Sequence, residues 1–331
     1  MRSRTSAPCR LALARRKVLA ALLAAPGLAT AQEPSSKPIR IIVPYAPGGT
    51  TDLLARILAD HLGRVLGTAV VIENRSGAGG MLGTEIVARA PADGQTLLFA
   101  NTGPIIFNPL LYAKLSYDPV ADFAPVARVA EFPLFLVIPT SIPADTLPKF
   151  LDWARQRPGK VSFGSVSTGS VAHLAGEMLN RAAGLDLQHV PYRGGSQALT
   201  DLIAGNTQLF FSTGLEARPH VEAGRIRVLA TTAHSRMQTT PDVPTFRELG
   251  MPTLDFASWF GLMLPRATPL SVRDRLAAAV RGIMAQSEVS RAILDVSAIP
   301  VVETPEAFER VLEKERRRWA PIVSAAGVRI E

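Results

Sequence analysis

Short apolar runs and amphipathic stretches alternate along most of this 331-residue chain, and its architecture follows from that alternation. The runs at Ile39–Tyr45, Ala69–Glu73 and Thr96–Ala100 are brief and rich in branched apolar residues, the pattern of buried strands. Between them, Leu53–Leu66 and Met81–Ala90 repeat apolar residues every three or four positions, as helices do. After an irregular stretch rich in Pro and Asn the pattern resumes. Strands are predicted at Phe135–Ile138, Val161–Ser165, Leu187–Tyr192 and Gln208–Ser212, followed in turn by helices Leu147–Arg157, Ala172–Ala183, Gln197–Ala204 and Leu215–Ala223. Arg225–Thr231 is a further strand. The tail adds helices at Val272–Gln286, Glu288–Val296 and Glu306–Ala326. In the last of these Phe308, Val311, Leu312, Trp319 and Ile322 share helical spacing and should face the core, leaving Arg316-Arg317-Arg318 as a solvated surface.

Repetition of strand, short turn and helix predicts an α/β fold of parallel-rich sheets covered by helices. Two proline-rich stretches, Phe132–Pro143 and Pro241–Pro252, mark places where the chain changes domain. Residues 132–254 then form one domain, and 37–131 with 255–331 form the other. Two domains joined by two connections enclose a cleft and can close on it like a hinge.

Candidate chemistry gathers at the strand-to-helix junctions. The first, Val43-Pro44-Tyr45-Ala46-Pro47-Gly48-Gly49-Thr50-Thr51-Asp52, runs from a strand into a helix start. Helix N-termini present unpaired N–H groups and the positive end of the macrodipole, glycines admit a ligand to the main chain, and Thr50 and Thr51 add hydroxyl donors. Similar junctions occur at Asn74–Gly80, at Ser165-Val166-Ser167-Thr168-Gly169-Ser170 and at Tyr192-Arg193-Gly194-Gly195-Ser196, with Asn101-Thr102-Gly103 closing another strand. In open α/β sheets ligands settle at the carboxyl ends of strands, where all of these lie. The expected grip therefore comprises Tyr45, Gly48, Gly49, Thr50, Thr51, Asp52, Asn101 and Thr102 on one side. On the other it comprises Ser165, Ser167, Thr168, Gly169, Ser170, His173, Tyr192, Arg193, Gly194, Gly195, Ser212 and Thr213. Thr51 and Ser170 also suit plain N-cap roles.

Charge changes the picture less than the total suggests. Six of the 36 Lys and Arg residues, and none of the 28 Asp and Glu, precede position 32, so the formal +8 falls to +2 without that segment. Arg2 to Lys17, the apolar run Val18–Leu28 and the small residues Ala29-Thr30-Ala31 read as an export signal cleaved after Ala31. The general secretory route suits it better than the twin-arginine route that Arg15-Arg16 suggests. A periplasmic location follows, and nucleic acid is not an expected partner. Cys9 leaves with the signal, so no disulfide is expected.

Enzyme motifs are missing. Gly77, Gly79 and Gly83 are misspaced for a dinucleotide fingerprint, Gly164–Ser170 lacks the lysine of a phosphate loop, and no G-x-S-x-G elbow occurs. His61, His173, His189, His220 and His234 show no metal spacing, so neither a metal nor another cofactor is expected. Asp52 and Asp201 fit helix-start and helix-surface positions better than acid–base roles. A secreted α/β hydrolase would need a nucleophile–base pair that the sequence does not display.

The ordered set Val43-Pro44-Tyr45-x-x-Gly48-Gly49-x-x-Asp52, Glu73-Asn74-Arg75-x-Gly77-Ala78-Gly79-Gly80, Tyr117-Asp118-Pro119-x-x-Asp122-Phe123 and Val190-Pro191-Tyr192-Arg193-Gly194-Gly195 resembles the Bug-type receptors. Leu229-Ala230, Pro241-Asp242-Val243-Pro244-Thr245 and Trp259-x-Gly261 extend the resemblance over nearly all of the chain beyond the signal. These are extracytoplasmic solute-binding proteins of tripartite tricarboxylate transport systems. The resemblance implies a two-domain periplasmic-binding-protein fold, a small carboxylate ligand held by main-chain amides, hydroxyls and water, and delivery to a permease of one large and one small subunit. A monomer is expected. A sensor that presents the liganded form to a membrane signalling protein is the alternative. Many members carry an Asp after the strand that here ends in Ser212-Thr213-Gly214, so a ligand ammonium loses that partner and a di- or tricarboxylate, hydroxy acid or aromatic acid is favoured.

Overall fold

Residues 37–330 are described by the computed structural model of the chain. The export segment and its cleavage point lie outside the described residues.

Strands β1 (Ile39–Val43), β2 (Val70–Asn74), β3 (Thr96–Asn101), β4 (Phe123–Phe132), β10 (Ser258–Pro265) and β11 (Ile299–Pro300) form a six-stranded sheet in the order β11-β4-β10-β3-β1-β2. A five-stranded sheet, in the order β7-β6-β8-β5-β9, contains β5 (Phe135–Pro139), β6 (Val161–Ser165), β7 (Leu187–Pro191), β8 (Leu209–Ser212) and β9 (Ile226–Thr231). Ten helices complete the described chain: α1 (Thr50–Leu66), α2 (Met81–Ala88), α3 (Asn108–Leu111), α4 (Leu147–Arg155), α5 (Val171–Ala183), α6 (Gly195–Ile203), α7 (Gly214–Glu222), α8 (Leu270–Met284), α9 (Ser287–Asp295) and α10 (Pro305–Ala326).

Both sheets are mixed. The βαβ units pair in parallel, β1 with β2 and β3, and β6 with β7 and β8. The strands that carry the chain between sheets run antiparallel to their neighbours, β10 beside β3 and β4, and β5 beside β8 and β9. The sequence pattern assigned no strand to β4 or β10. Pro125 and Arg128 interrupt the apolar run of β4, and Arg128 is accommodated by forking onto Glu303 at 2.8 and 3.0 Å. β10 is buried along its whole length at the centre of its sheet, so it lacks the polar alternation that marks a strand.

The chain crosses from the first sheet to the second through Pro133-Leu134 and returns between Thr231 and Ser258. The two crossings lie side by side, because Thr232 N–H donates to the Leu134 carbonyl at 2.9 Å and Leu134 N–H to Thr232 Oγ1 at 2.9 Å. One face of the first sheet, with Ile41, Val43, Leu97 and Phe99, buries against Leu54, Leu58 and Leu62 of α1 and Leu276, Val280 and Ile283 of α8. The other face belongs to a second cluster that runs on into Phe135, Phe163, Leu174 and Phe210 of the second sheet and its helices.

Helix α10 braces this shared core. Phe308, Leu312 and Trp319 are buried as the spacing requires, and Trp319 meets Phe107 and Phe256 edge-on at 4.9 and 5.2 Å. A buried side chain of this size contributes about 1.5–3 kcal/mol or more. Arg318 is not free surface: its guanidinium donates to the carbonyls of Asp255 at 2.6 Å and Thr253 at 3.3 Å.

Candidate functional site

On the first-sheet side three loops are tied together around the β1–α1 turn. Gly48 has φ +89°, a conformation that glycine tolerates, and its N–H donates to Asp52 Oδ2 at 2.9 Å. Asp52, only 2% exposed, also accepts from Arg56 Nε and Asn74 Nδ2, each at 2.9 Å, and Asn74 donates on to the Tyr45 carbonyl at 3.1 Å. Burial opposes ionisation of Asp52, but the bonds from Arg56, Gly48 and Asn74 outweigh it and hold the carboxyl below its usual value. The carboxylate is thus engaged in shaping the loop that was expected to grip a ligand.

Tyr45 hydroxyl donates to Asn101 Oδ1 at 3.0 Å, and Gly103 N–H donates to the same oxygen at 3.1 Å. Burial pushes the phenol up to about 12, so it stays neutral. Asn101 Nδ2 makes no hydrogen bond among the described residues, nor do the hydroxyls of Thr50 and Thr51. Thr102 Oγ1 accepts from Trp259 N–H at 3.1 Å and the residue is 2% exposed, so it ties β3 to β10. Neither Gly48 nor Gly49 has any atom within 4 Å of where a Cβ would stand, so this turn borders open space.

On the second-sheet side Ser167 and Thr168 are exposed at the tip of the β6–α5 loop. Ser170 caps α5, accepting from His173 N–H at 3.3 Å, and its hydroxyl donates to the Ser167 carbonyl at 2.8 Å. His173 is 4% exposed and its Nδ1 accepts from Gly169 N–H at 3.0 Å, so it holds the expected ligand loop from beneath. Its ring stacks on His189 with centroids 3.7 Å apart. His189 Nε2 meets Ser165 Oγ at 2.7 Å, the serine–histidine pair that the sequence did not display. Ser165 is fully buried and also bonds to the Ser167 carbonyl at 2.9 Å, so its hydroxyl is held within the loop.

The Tyr192 hydroxyl donates to Asp201 Oδ2 at 2.7 Å, which occupies it, and Arg193 is exposed. Gly194 faces open space. Ser212 is fully buried, and Thr213 caps α7 through Glu216 N–H at 3.4 Å. Asn74, His189 and Glu216, none of them among the expected contacts, brace these loops through Asp52, Ser165 and Thr213. The Thr213-x-x-Glu216 spacing, a capping-box pattern just past a strand, was a readable signal for the last of them.

The second-sheet loops touch the rest of the chain where a Cβ at Gly169 would overlap Leu111 at the end of α3 and approach Ile330, and where Gly214 abuts Ser297. A separate groove of about 520 Å³ between α5 and α10, lined by Met178, Arg181, Arg318 and Ile322 among others, receives no residue from these loops. Among the described residues no group of acidic, His or Cys side chains has metal-binding geometry, and no helix is long and apolar enough to cross a membrane.

The family model described as tripartite tricarboxylate transporter family receptor matches residues 54–328. The chain belongs to this family of periplasmic solute-binding receptors. It is 35% identical over 289 residues to the UPF0065 protein in the tcbD-tcbE intergenic region of Pseudomonas sp. strain P51, covering 87% of this chain and 86% of that one. Protein BugT of Bordetella pertussis is 33% identical over 297 residues, with 89% and 91% covered. Among solved structures, R. palustris Rpa4515 with adipate superposes with TM-score 0.82 at 34% identity, covering 89% of the receptor and 99% of that chain. MatC from Rhodopseudomonas palustris with bound malate gives 0.77 at 32%, covering 87% and 99%. The receptor therefore has the two-domain periplasmic-binding-protein fold and is not an enzyme. Its family binds small carboxylates and works with a membrane transporter.

Proposed function

We propose that the receptor captures a small carboxylate in the cleft between residues 37–131 with 255–331 and residues 132–254, by closure about the paired crossings at Leu134 and Thr232. The observation that carries this reading is the β1–α1 turn. Its charge is spent internally through Asp52, while the N–H of Gly49, the N-terminus of α1, the Thr50 and Thr51 hydroxyls and Asn101 Nδ2 leave neutral donors around a turn whose glycines border open space. Such a surface solvates an anion without a competing cation. Ser167, Thr168 and Gly194 add donors from the other side.

The ligand is a di- or tricarboxylate, a hydroxy acid or an aromatic acid, in keeping with the adipate and malate of the two structural relatives. Export with cleavage after Ala31 delivers a monomeric receptor that hands its cargo to a permease of one large and one small subunit. Mass spectrometry of the small molecules released on denaturing protein purified from its native periplasm tests the reading. A carboxylate is expected, and release of a cationic or uncharged solute alone would overturn it.

A further inference from the structure

We propose that the groove between α5 and α10 is a second binding site, separate from the cleft, that takes an amphiphilic monocarboxylate, one carboxylate on an unbranched apolar body. The site goes beyond the carboxylate-receptor reading and does not rest on it. Its volume of about 520 Å³ lies within the range of about 300–1,000 Å³ usual for small-molecule pockets. Met178 and Ala182 of α5 form one wall, and Ile322, Ala325 and Ala326 of α10 form the other. Three of these five are alanines, so neither helix reaches across to the other. Arg318, Ile322 and Ala325 follow at intervals of four and three, which puts them on one face of α10. From Arg318 to Ala326 the helix rises about 12 Å, the length of an extended chain of about eight to ten carbons.

Charge favours an anion here. Arg181 and Arg318 both line the groove, against the single carboxyl of Glu177. Arg181 is exposed. Both hydrogen bonds of the Arg318 guanidinium among the described residues are made by Nη2, to the Thr253 and Asp255 carbonyls at 3.3 and 2.6 Å, which leaves Nη1 and Nε to donate. Those carbonyls do not neutralise it, and the Asp255 carboxylate is bound to Arg247 and His234 instead. Burial raises the Glu177 carboxyl above its usual value, with Arg181 opposing, so burial weakens the one negative charge of the lining. A ligand carboxylate can pair with a guanidinium while its tail covers the alanine and isoleucine walls. A second carboxylate would be buried against those walls, so the groove selects against the short dicarboxylates proposed for the cleft.

Calorimetry at pH 7.5 with octanoate, 1-octanol and octylamine, matched in length and different in head group, tests the proposal on receptor stripped of bound lipid. Octanoate is expected to bind at least fivefold more tightly than the alcohol, and the amine more weakly still. Arg181→Gln should narrow the preference of acid over alcohol at least threefold, and Ala325→Glu, at an exposed position on the wall, should weaken octanoate at least tenfold. Gly49→Val, altered in the cleft, should bind octanoate as the native receptor does. Absence of octanoate binding, no preference over the alcohol, indifference to either groove substitution, or loss of binding in Gly49→Val overturns the proposal. So does a dimer, seen by light scattering, that Ala325→Glu abolishes, because a second copy would then be the occupant.

Discussion

Acid should unlatch the β6–α5 loop from below. His173 Nδ1 accepts from Gly169 N–H, and the His173 and His189 rings stack 3.7 Å apart. Burial drives both imidazoles down to about 4, and for His173 the neighbouring His189 adds to the effect. Glu177, whose Oε1 lies 3.8 Å from His173 Nε2, is the acidic group facing the pair, and burial raises its carboxyl. The unfolded chain takes up protons near the ordinary value of 6.5, whereas the folded chain resists until about pH 4. The stability this pair contributes is therefore complete above pH 6.5 and lost by the time the pH has fallen through 4. At about 1.4 kcal/mol per unit, a displacement of this size corresponds to about 3 kcal/mol for one ring. The rings titrate as a pair and His189 keeps some solvent contact, so about 3 kcal/mol is taken for both together. Urea unfolding at intervals from pH 7.5 to 4 measures the loss, with His173→Asn/His189→Gln as the reference that retains acceptors but cannot titrate. Parallel pH dependence in the two proteins would refute the reasoning, because the remaining acid sensitivity belongs to carboxylates shared by both.

Gly49→Val should fold normally, since nothing lies within 4 Å of the new Cβ, and yet lose binding of the released carboxylate at least tenfold by blocking one or two charge-assisted bonds of about 1.5–3 kcal/mol each. Calorimetry decides this, and unchanged affinity would make the loop a mere connection. Asp52→Asn should lower stability by about 1–3 kcal/mol at pH 7, because Gly48 N–H, Arg56 and Asn74 lose a charged acceptor; chemical denaturation reads it, and an unaltered midpoint counts against it. Arg318→Met should destabilise α10 against the Thr253–Asp255 turn by about 1–2 kcal/mol, seen as a lower thermal midpoint. Exported receptor should begin at Gln32 by intact mass, and recovery of the uncleaved chain in membranes would contradict the assigned signal.

What could be read from the chain depended on whether the deciding contacts were local. α1, α5 and β6 appear close to their predicted bounds because apolar spacing and caps such as Ser170 are written within a few residues. β4 and β10 escaped notice because their pairing is set by distant partners, Phe123 opposite Pro265 and Phe132 opposite Ser258, and by an ion pair between Arg128 and Glu303. The loops of the site were legible as loops for the same local reason. Which side chains face a ligand was not, since that turns on whether another residue claims the polar atoms first. Asp52 is claimed by Asn74, Tyr192 by Asp201, Thr102 by Trp259 and Ser165 by His189, all from other elements of the chain. What remains uncommitted is mostly main chain and small neutral groups. Main-chain amides at helix starts and neutral hydroxyls suit an anion's charge more than any one side-chain shape, so a sequence can spell out such loops without spelling out which anion they would take.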